Sequence, residues 1–371
     1  MSGTIAIVAF FVGLLLIILI HEGGHYLAAR AFGFRVLEYF VGFGPRVWSV
    51  RRGEIEYGVK AIPAGGYVKI AGMNPLVDDV PPGDEHRAYF AKPIRQRAVV
   101  ILAGPLSHLL VAGLVFTSLY LVVGDLSRVA KVGGVTPRIG GRPAPAAEAG
   151  LRAGDVIVRI GDIENPTPQQ LGAYQEDHAG EPIRYTIQRG QRRFDVTMTP
   201  VIERIDGEPV PRIGVLLAPT PLPLAAAVTS GFGDVWDLSV YAVSEIGRVF
   251  GPEGIGRIAA LLFTDAPRRI DDPASVVGIG RQVGVVGSEG DWDHVVYLFG
   301  YVTLFIGLIN LVPLPPFDGG HLAILAIERV RGRPVDLKRV VPVSVAVLAF
   351  MATFVLAAVV LDVTKPIPTG P

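Results

Sequence analysis

Four long stretches of this chain contain almost no charged residues. An α-helix needs about 20 apolar residues to cross a hydrocarbon core of roughly 30 Å, and each stretch meets that length approximately. The membrane spans predicted from this pattern are residues 4–29, 98–123, 295–312 and 340–361. We expect the first to be retained as a span, because it lacks the basic start and the small-residue cleavage site of a secretory signal.

The composition agrees with a membrane protein that carries a separate domain. Half of the 371 residues are hydrophobic, and the mean hydropathy is positive. Lys and Arg together number 34, as do Asp and Glu, so no basic surplus points to nucleic acid as a partner. The chain has no cysteine, and a metal site would therefore have to use His, Asp or Glu.

The basic residues predict the orientation in the membrane. Residues 30–97 and the short loop 328–339 each carry many Lys and Arg residues, and the positive-inside rule places both in the cytoplasm. Both termini and residues 124–294 then face outside. The arginines of that outer segment do not contradict this orientation, because long translocated segments are exempt from the rule.

The outer segment contains the pattern of a small soluble domain at residues 127–205. The stretch "AEAGLRAGDVIVRIGDI" (147–163) is followed by a helix-like segment, 169–178, and by two alternating strands. This resembles a bacterial PDZ domain, a module that binds peptides by strand addition. A domain that only restricts access to the membrane part explains the pattern equally well.

The remainder of the outer segment, residues 222–294, is predicted to be an amphipathic helix and a connector. Residues 224–250 look helical, but charges interrupt them, which favours a position on the outer membrane surface over a span. Residues 273–284 are rich in glycine and predict a short connector or interfacial helix before the third span.

The first span ends in "LIHEGGHYLA" (19–28), which is the pattern of a zinc site. On a helix, His21 and His25 share one face and can bind one zinc ion, and Glu22 is placed to take a proton from water. Charged groups within a membrane are costly and usually functional. His21 lies about 26 Å along the helix from residue 4, which places the site toward the cytoplasmic face. Gly23 and Gly24 either allow close approach of a helix or substrate, or are simply tolerated.

A third protein ligand is expected, because catalytic zinc usually has three. The third span ends in "NLVPLPPFDGGH" (310–321), where prolines break the helix next to Asp318. Asp318 is the first candidate. His321 is a local rival, and Glu328 lies too close to the basic loop to be attractive.

These motifs together resemble the site-2 protease family of intramembrane zinc metalloproteases, and specifically the bacterial regulator-of-sigma-E protease type. Three further segments, 41–50, 57–73 and 91–105, are similar to family segments in the same order. The resemblance implies that His21, His25 and Asp318 bind Zn²⁺ and that Glu22 is the general base. It also implies that Asn310 holds the substrate backbone.

The resemblance further implies a hairpin at residues 41–73 that dips into the membrane and pairs with unwound substrate. Gly65 and Gly66 in this hairpin are candidate substrate-binding residues. The implied substrates are single-span membrane proteins, such as anti-sigma factors and signal-peptide remnants.

Two positions depart from the family pattern. "GPLSH" (104–108) has His108 where the family has asparagine, and His108 is either a substrate-binding residue or a neutral buried histidine. "PASVVGI" (273–279) lacks the usual Gly-Pro pair, so the geometry of the connector is open.

The predicted fold is a polytopic α-helical membrane protein with about four transmembrane helices, a membrane-associated β-hairpin and an inserted α+β PDZ domain. It is a multi-pass protein of the plasma membrane, with the PDZ domain outside and the active site toward the cytoplasm. The predicted ranges are 1–30 (first helix), 31–97 (hairpin region), 98–123, 127–205 (PDZ domain), 222–294, 295–321, 328–339 (cytoplasmic loop) and 340–362.

Two other functions are compatible with parts of this pattern. A catalytically silent membrane PDZ protein could bind client proteins, although such a protein would have no need of Glu22. A transporter could use the intramembrane His and Asp as a cation site, but the repeats expected of a transporter are not visible in the sequence.

Overall fold

The computed structural model describes residues 2–73, 80–126, 129–205, 208–269 and 271–368. It divides into two compact units. The membrane unit consists of Met1–Phe116 and Gly231–Pro371, and the inserted unit of Thr117–Ser230.

Eight helices of at least 12 residues, counted among the described residues, belong wholly or partly to the membrane unit. The second of them continues into the inserted unit, and the third begins there. The numbers follow chain order, and α3 and α4 are short helices of the inserted unit. The helices are α1 (Ser2–Ala31), α2 (Ile94–Val122), α5 (Leu224–Phe250), α6 (Pro252–Phe263), α7 (Val276–Glu289), α8 (Trp292–Asn310), α9 (Asp318–Arg331) and α10 (Val341–Thr364). The shortest of them is α6, with 12 residues.

Four of these helices are long and apolar enough to cross a membrane: α1, α2, α8 and α10. They overlap the four spans predicted from the sequence, so that prediction is confirmed. Many apolar side chains of α1, including Val8, Val12 and Leu16, are exposed on the protein. This is expected of a helix whose surface is covered by lipid rather than by protein.

Glycines bring α7 close to α1. A Cβ atom on Gly3 would lie 2.5 Å from the carbonyl oxygen of Gly284, and one on Gly287 would collide with Ala6. The segment predicted as a connector is therefore part of a helix that packs along the first span. Ser275 caps this helix by accepting a hydrogen bond from Val277 N.

A buried ion pair joins the loop between α6 and α7 to the end of α10. Asp362 lies 2.9 Å from Arg268, and both side chains are at most 3% exposed. The other carboxylate oxygen accepts hydrogen bonds from the backbone N–H groups of Ser275 (2.7 Å) and Gly278 (3.1 Å). We call these four residues the α10 anchor. Both carboxylate oxygens of Asp362 therefore accept a hydrogen bond.

Two long, bent strands follow α1. They are β1 (Val36–Arg52) and β2 (Ile55–Ile70), which pair antiparallel as the predicted hairpin. Residues 36–41 lie opposite 66–70 on one side and opposite 56–59 on the other, while 46–52 lie opposite 55–60. Among the described residues, segment 66–70 therefore has a strand partner on one side only. Tyr39 ties the sheet to α1 by donating to Leu19 O at 2.8 Å.

The inserted unit is a small α+β domain. Its strands are β3 (Val132–Val135), β4 (Arg138–Ile139), β5 (Arg142–Pro143), β6 (Val156–Ile160), β7 (Ile163–Glu164), β8 (Ile183–Arg189), β9 (Arg192–Met198), β10 (Val201–Ile205), β11 (Glu208–Arg212) and β12 (Val215–Leu217), and its helices are α3 (Pro145–Glu148) and α4 (Pro168–Asp177). A four-stranded sheet has the order β7-β6-β8-β9. Its core includes Ile157, Tyr185 and Ile187.

These elements have the types and the order predicted for a PDZ domain, including the helix after the glycine turn. That turn is fixed by Asp155, which pairs with Arg189 at 2.7 Å and accepts a hydrogen bond from Arg152 N at 2.9 Å. The predicted start at residue 127 lies outside the described residues. The unit continues beyond residue 205, where the predicted domain ends, because β12 pairs with β3 and Ile213 joins the core.

Candidate metal centre

Helix α1 brings the two predicted imidazole ligands together. His21 and His25 are one turn apart, and their Nε2 atoms are 3.1 Å from each other. Their rings meet edge to face, with centres 4.7 Å apart. Because both Nε2 atoms point to one spot beside the helix, a metal ion bound there would be shared by the two residues.

Asp318 reaches the same spot from the other end of the chain. Helix α8 ends at Asn310, and a compact turn with a cis peptide bond between Pro315 and Pro316 leads to Asp318, the first residue of α9. The two glycines that follow Asp318 allow this turn. A Cβ on Gly319 would collide with the carbonyl of Leu311 at the end of α8, and one on Gly320 with the backbone of Pro315.

The three ligand atoms form a nearly equilateral triangle. Asp318 Oδ2 lies 3.2 Å from His21 Nε2 and 3.4 Å from His25 Nε2. Tetrahedral zinc with bonds of about 2.0–2.1 Å to nitrogen and oxygen requires ligand atoms about 3.3 Å apart. This triad is the one cluster of three or more possible ligands found among the described residues. The residues present therefore fit zinc.

One of the two imidazoles is held by a backbone hydrogen bond. His25 Nδ1 lies 2.8 Å from the carbonyl oxygen of Val100 on α2. Since a carbonyl can only accept, His25 donates from Nδ1, and Nε2 keeps its lone pair for a metal. His21 Nδ1 is buried and has no hydrogen-bond partner in the described part of the chain.

Two glycines set the distance between α1 and α2. A Cβ on Gly24 would collide with the carbonyl of Ala103, and a Cβ on Gly104 would collide with His25 Nε2. Gly24 therefore packs helices. Gly23 is different, because its Cβ would meet only the hydroxyl of Tyr39, at 3.8 Å.

Segment 66–70 of the β-sheet lies against Glu22. A Cβ on Gly66 would lie 3.1 Å from Glu22 Cγ, and the backbone of Val68 hydrogen-bonds the Glu22 carboxylate. Gly65 has φ +148°, and a Cβ there would lie 2.7 Å from the ring of Phe43. Gly66 thus lies where segment 66–70 meets the candidate base, whereas Gly65, directly before it, packs against Phe43.

The other predicted substrate-binding residues occupy different surroundings. Asn310 is the last residue of α8 and is half-buried. His108 is only 2% exposed, and its ring centre lies 5.0 Å from that of His21. The structure therefore brings His108 to the imidazole ligands rather than to an open surface.

The alternative third ligands do not join the triad. Glu328 pairs with Arg97 at 3.0 Å. His321 belongs to α9 like Asp318 but is absent from the cluster found among the described residues. The carboxylate of Asp318 is the group that meets both imidazoles.

Comparison with known proteins identifies the family. The model of "Peptidase family M50" matches residues 9–355. The chain belongs to peptidase family M50, the site-2 proteases.

Curated relatives of this site-2 protease match it over nearly its whole length. Zinc metalloprotease Rip1 of Mycolicibacterium smegmatis is 33% identical, with 98% of each chain covered. Zinc metalloprotease RasP of Geobacillus kaustophilus is 27% identical, with 90% of this chain and 92% of the relative covered.

A solved structure, the PDZ domain of an SdrC-like protein from Listeria monocytogenes, matches part of the chain. It is 24% identical and covers 24% of this chain and 87% of that domain, with a TM-score of 0.20. The fold of the inserted unit rests on its own strand pairing and not on this likeness.

This site-2 protease is a multi-pass membrane enzyme, a zinc metalloendopeptidase that uses Zn²⁺ and acts on membrane proteins in a lipid environment. The predicted family, activity, cofactor and fold class are confirmed. The silent-binding alternative is not favoured, since these relatives are named zinc metalloproteases.

Two contributors to the site were not predicted from the sequence. Val100 acts through a backbone carbonyl, which any residue carries, so its type gives no signal. Gly104 did carry a signal, because it directly precedes Pro105 inside a span. A glycine at that point indicates close approach of another group.

Proposed function

We propose that His21, His25 and Asp318 bind the catalytic zinc ion of this protease and that Glu22 is its general base. The observation that carries the proposal is the triangle of ligand atoms, with sides of 3.1, 3.2 and 3.4 Å. When bound, the zinc ion acts as a Lewis acid and makes water nucleophilic near neutral pH.

Glu22 is suited to handle the proton of the attacking water. It follows His21 directly in α1, the helix that carries both imidazole ligands. It can take the proton from water and then give it to the departing amine, which is the double role of a general acid–base group. Its contact with segment 66–70 puts it next to the strand edge.

That strand edge is the proposed substrate-binding surface. The peptide bonds of a transmembrane helix are hydrogen-bonded internally, so a substrate must unwind before it can be cut. An extended substrate would pair along the side of segment 66–70 that has no strand partner among the described residues, and this pairing would satisfy the freed groups of the substrate. Gly65 and Gly66 allow the substrate backbone to come close, and Asn310 would hold it from the end of α8.

The proposed substrates are single-span membrane proteins, including anti-sigma factors and signal-peptide remnants. The inserted unit is proposed to lie outside the cell and to bind a peptide or the substrate itself. The active site is proposed to lie toward the cytoplasmic side, as the basic residues of 30–97 and 328–339 indicate.

The catalytic assignment can be tested with purified chain and a single-span substrate. The variant Glu22→Gln should lower cleavage by about 10²- to 10⁴-fold, which is the usual contribution of a general base, while zinc content stays that of the parent. Glu289→Gln makes the same change at an exposed position at the end of α7 and should cleave like the parent. Cleavage by Glu22→Gln at the parent rate would refute the assignment.

The orientation can be tested in intact cells, because the chain has no cysteine. Gln191→Cys introduces a thiol at an exposed turn of the inserted unit, and Arg333→Cys introduces one in the basic loop. A membrane-impermeant maleimide should label the first in intact cells and the second only after lysis. The reverse result would invert the proposed topology.

A further inference from the structure

The two imidazoles of the triad differ in what holds the second nitrogen of each ring. His25 Nδ1 donates to Val100 O, whereas His21 Nδ1 is buried and has no partner in the described ranges. A metal-bound imidazole almost always donates its other ring N–H to an acceptor, which fixes its tautomer and orientation. His21 therefore needs an acceptor at Nδ1.

His108 carries the complementary atom. Its side chain hydrogen-bonds the backbone of Thr303 on α8, while its Nδ1 is buried and unpartnered within the described ranges. A neutral imidazole that donates from Nε2 to a carbonyl keeps its lone pair on Nδ1. His21 thus has a donor without an acceptor, and His108 has an acceptor without a donor.

The separation of the two rings suits a direct bond. A hydrogen bond of about 2.9 Å between two imidazole nitrogens puts the ring centres about 5 Å apart. The observed separation is 5.0 Å, with 61° between the ring planes. The two rings are therefore as far apart as the rings of a directly hydrogen-bonded imidazole pair.

The packing around His108 keeps it at this position. A Cβ on Gly307 of α8 would lie 2.6 Å from His108 Cβ, so the two helices are in close contact there. The side chain is buried between α2 and α8, with His21 as its aromatic neighbour. It has little freedom to move away from the triad.

We propose that His108 is a positioning residue for zinc: its Nδ1 accepts the Nδ1–H of His21 when His21 Nε2 binds the metal. This inference rests on the proposed assignment of His21 as a zinc ligand. It assigns His108 to the metal centre instead of the substrate-binding surface predicted from the sequence.

The test compares zinc binding of two His108 variants of the full chain in detergent, measured by competition with a chelator. His108→Phe keeps a flat ring without an acceptor and should weaken zinc affinity by about 10- to 100-fold, the usual loss for an outer-shell partner. His108→Asn keeps a carbonyl acceptor in a smaller side chain and should lose less affinity than His108→Phe.

The rank order of the two variants separates the possible roles. If His108 only filled space, Asn would leave a cavity and bind zinc more weakly than Phe, which would overturn the proposal. If His108 contacted substrate, both variants would bind zinc like the parent and change only KM, which would also overturn it.

Two controls separate this inference from the proposed function. Thr117 on α2 carries another buried side-chain hydroxyl that has no hydrogen-bond partner within the described ranges. Thr117→Val removes this hydroxyl and should leave zinc affinity unchanged. His21→Ala should abolish high-affinity binding. If His21→Ala binds zinc like the parent, the proposed site fails. If His21→Ala loses zinc binding but His108→Phe binds zinc like the parent, only the inference about His108 fails.

Discussion

Two aspartates in the membrane unit, the buried Asp362 and the half-buried Asp318, have opposite surroundings. Asp362 in the α10 anchor meets a guanidinium and two backbone N–H groups, so hydrogen donors satisfy its charge. Asp318 faces two imidazole Nε2 atoms, and the proton of His25 lies on its other nitrogen, toward Val100. The lone pair that this leaves on His25 Nε2 faces the carboxylate, an arrangement that a cation between them would satisfy. The comparison shows how a structural carboxylate differs from a metal ligand.

The largest expected effect is the loss of cleavage when the charge of Asp318 is removed, and the same change at Asp362 is the comparison. Asp318→Asn should lower cleavage of a single-span substrate by more than about a hundredfold, because losing a ligand costs more than losing an outer-shell partner. Asp362→Asn should leave the zinc content of the folded protein unchanged. Zinc loss in Asp362→Asn and not in Asp318→Asn would reverse the comparison.

The α10 anchor should matter for stability instead. Asp362→Ala leaves the Arg268 charge buried and alone, which costs about 3–5 kcal/mol and should lower the thermal unfolding midpoint in detergent by several degrees. The double variant Arg268→Met/Asp362→Leu removes both charges and should recover part of that loss. A single variant as stable as the parent would show that the anchor contributes little.

A change in the contact between α1 and α2 should have an intermediate effect on zinc binding, because it displaces a ligand of the triad without removing it. Gly104→Ala adds a methyl group that collides with His25, and overpacking of this kind costs about 1–3 kcal/mol. We expect weaker zinc binding, measured by chelator competition. Gly233→Ala on α5, where a Cβ has nothing within 4 Å, is the matched control and should bind zinc like the parent.

The smallest effect is expected in the inserted unit. The Arg189 guanidinium holds the pKa of Asp155 below its usual range. The resulting stability is present above the unfolded pKa of about 3.9 and is lost as the pH falls through the lower folded pKa. Asp155→Asn should destabilise the unit by about 2 kcal/mol at pH 7, and less near pH 3. Hydrogen exchange of β8 amides, compared with the parent at each pH, measures both values.

The elements were predictable where the signal is local. The four spans follow from uncharged runs, and the pairing of His21 with His25 follows from the helical repeat. Asp318 was predictable as a candidate because prolines end a span beside it. The sequence disfavoured Glu328 and left His321 as a rival, and in the structure His321 lies outside the ligand cluster found among the described residues.

The missed features depend on contacts between distant residues. The Val100 carbonyl has no side-chain signature, and Arg268 lies 94 residues from Asp362 in the chain. The packing of α7 on α1 uses glycines that are common in any membrane helix. The environment of His108 is likewise set by three helices, so its residue type alone left substrate binding and burial open.

The most direct test of the central claim is zinc X-ray absorption spectroscopy on the purified parent and Asp318→Asn. The account predicts one tightly bound zinc ion per parent chain, with nitrogen and oxygen ligands at about 2.0–2.1 Å and the signature of two imidazoles. In Asp318→Asn this ion should be lost or its ligand shell changed. Full zinc occupancy with an unchanged spectrum in Asp318→Asn would contradict the account.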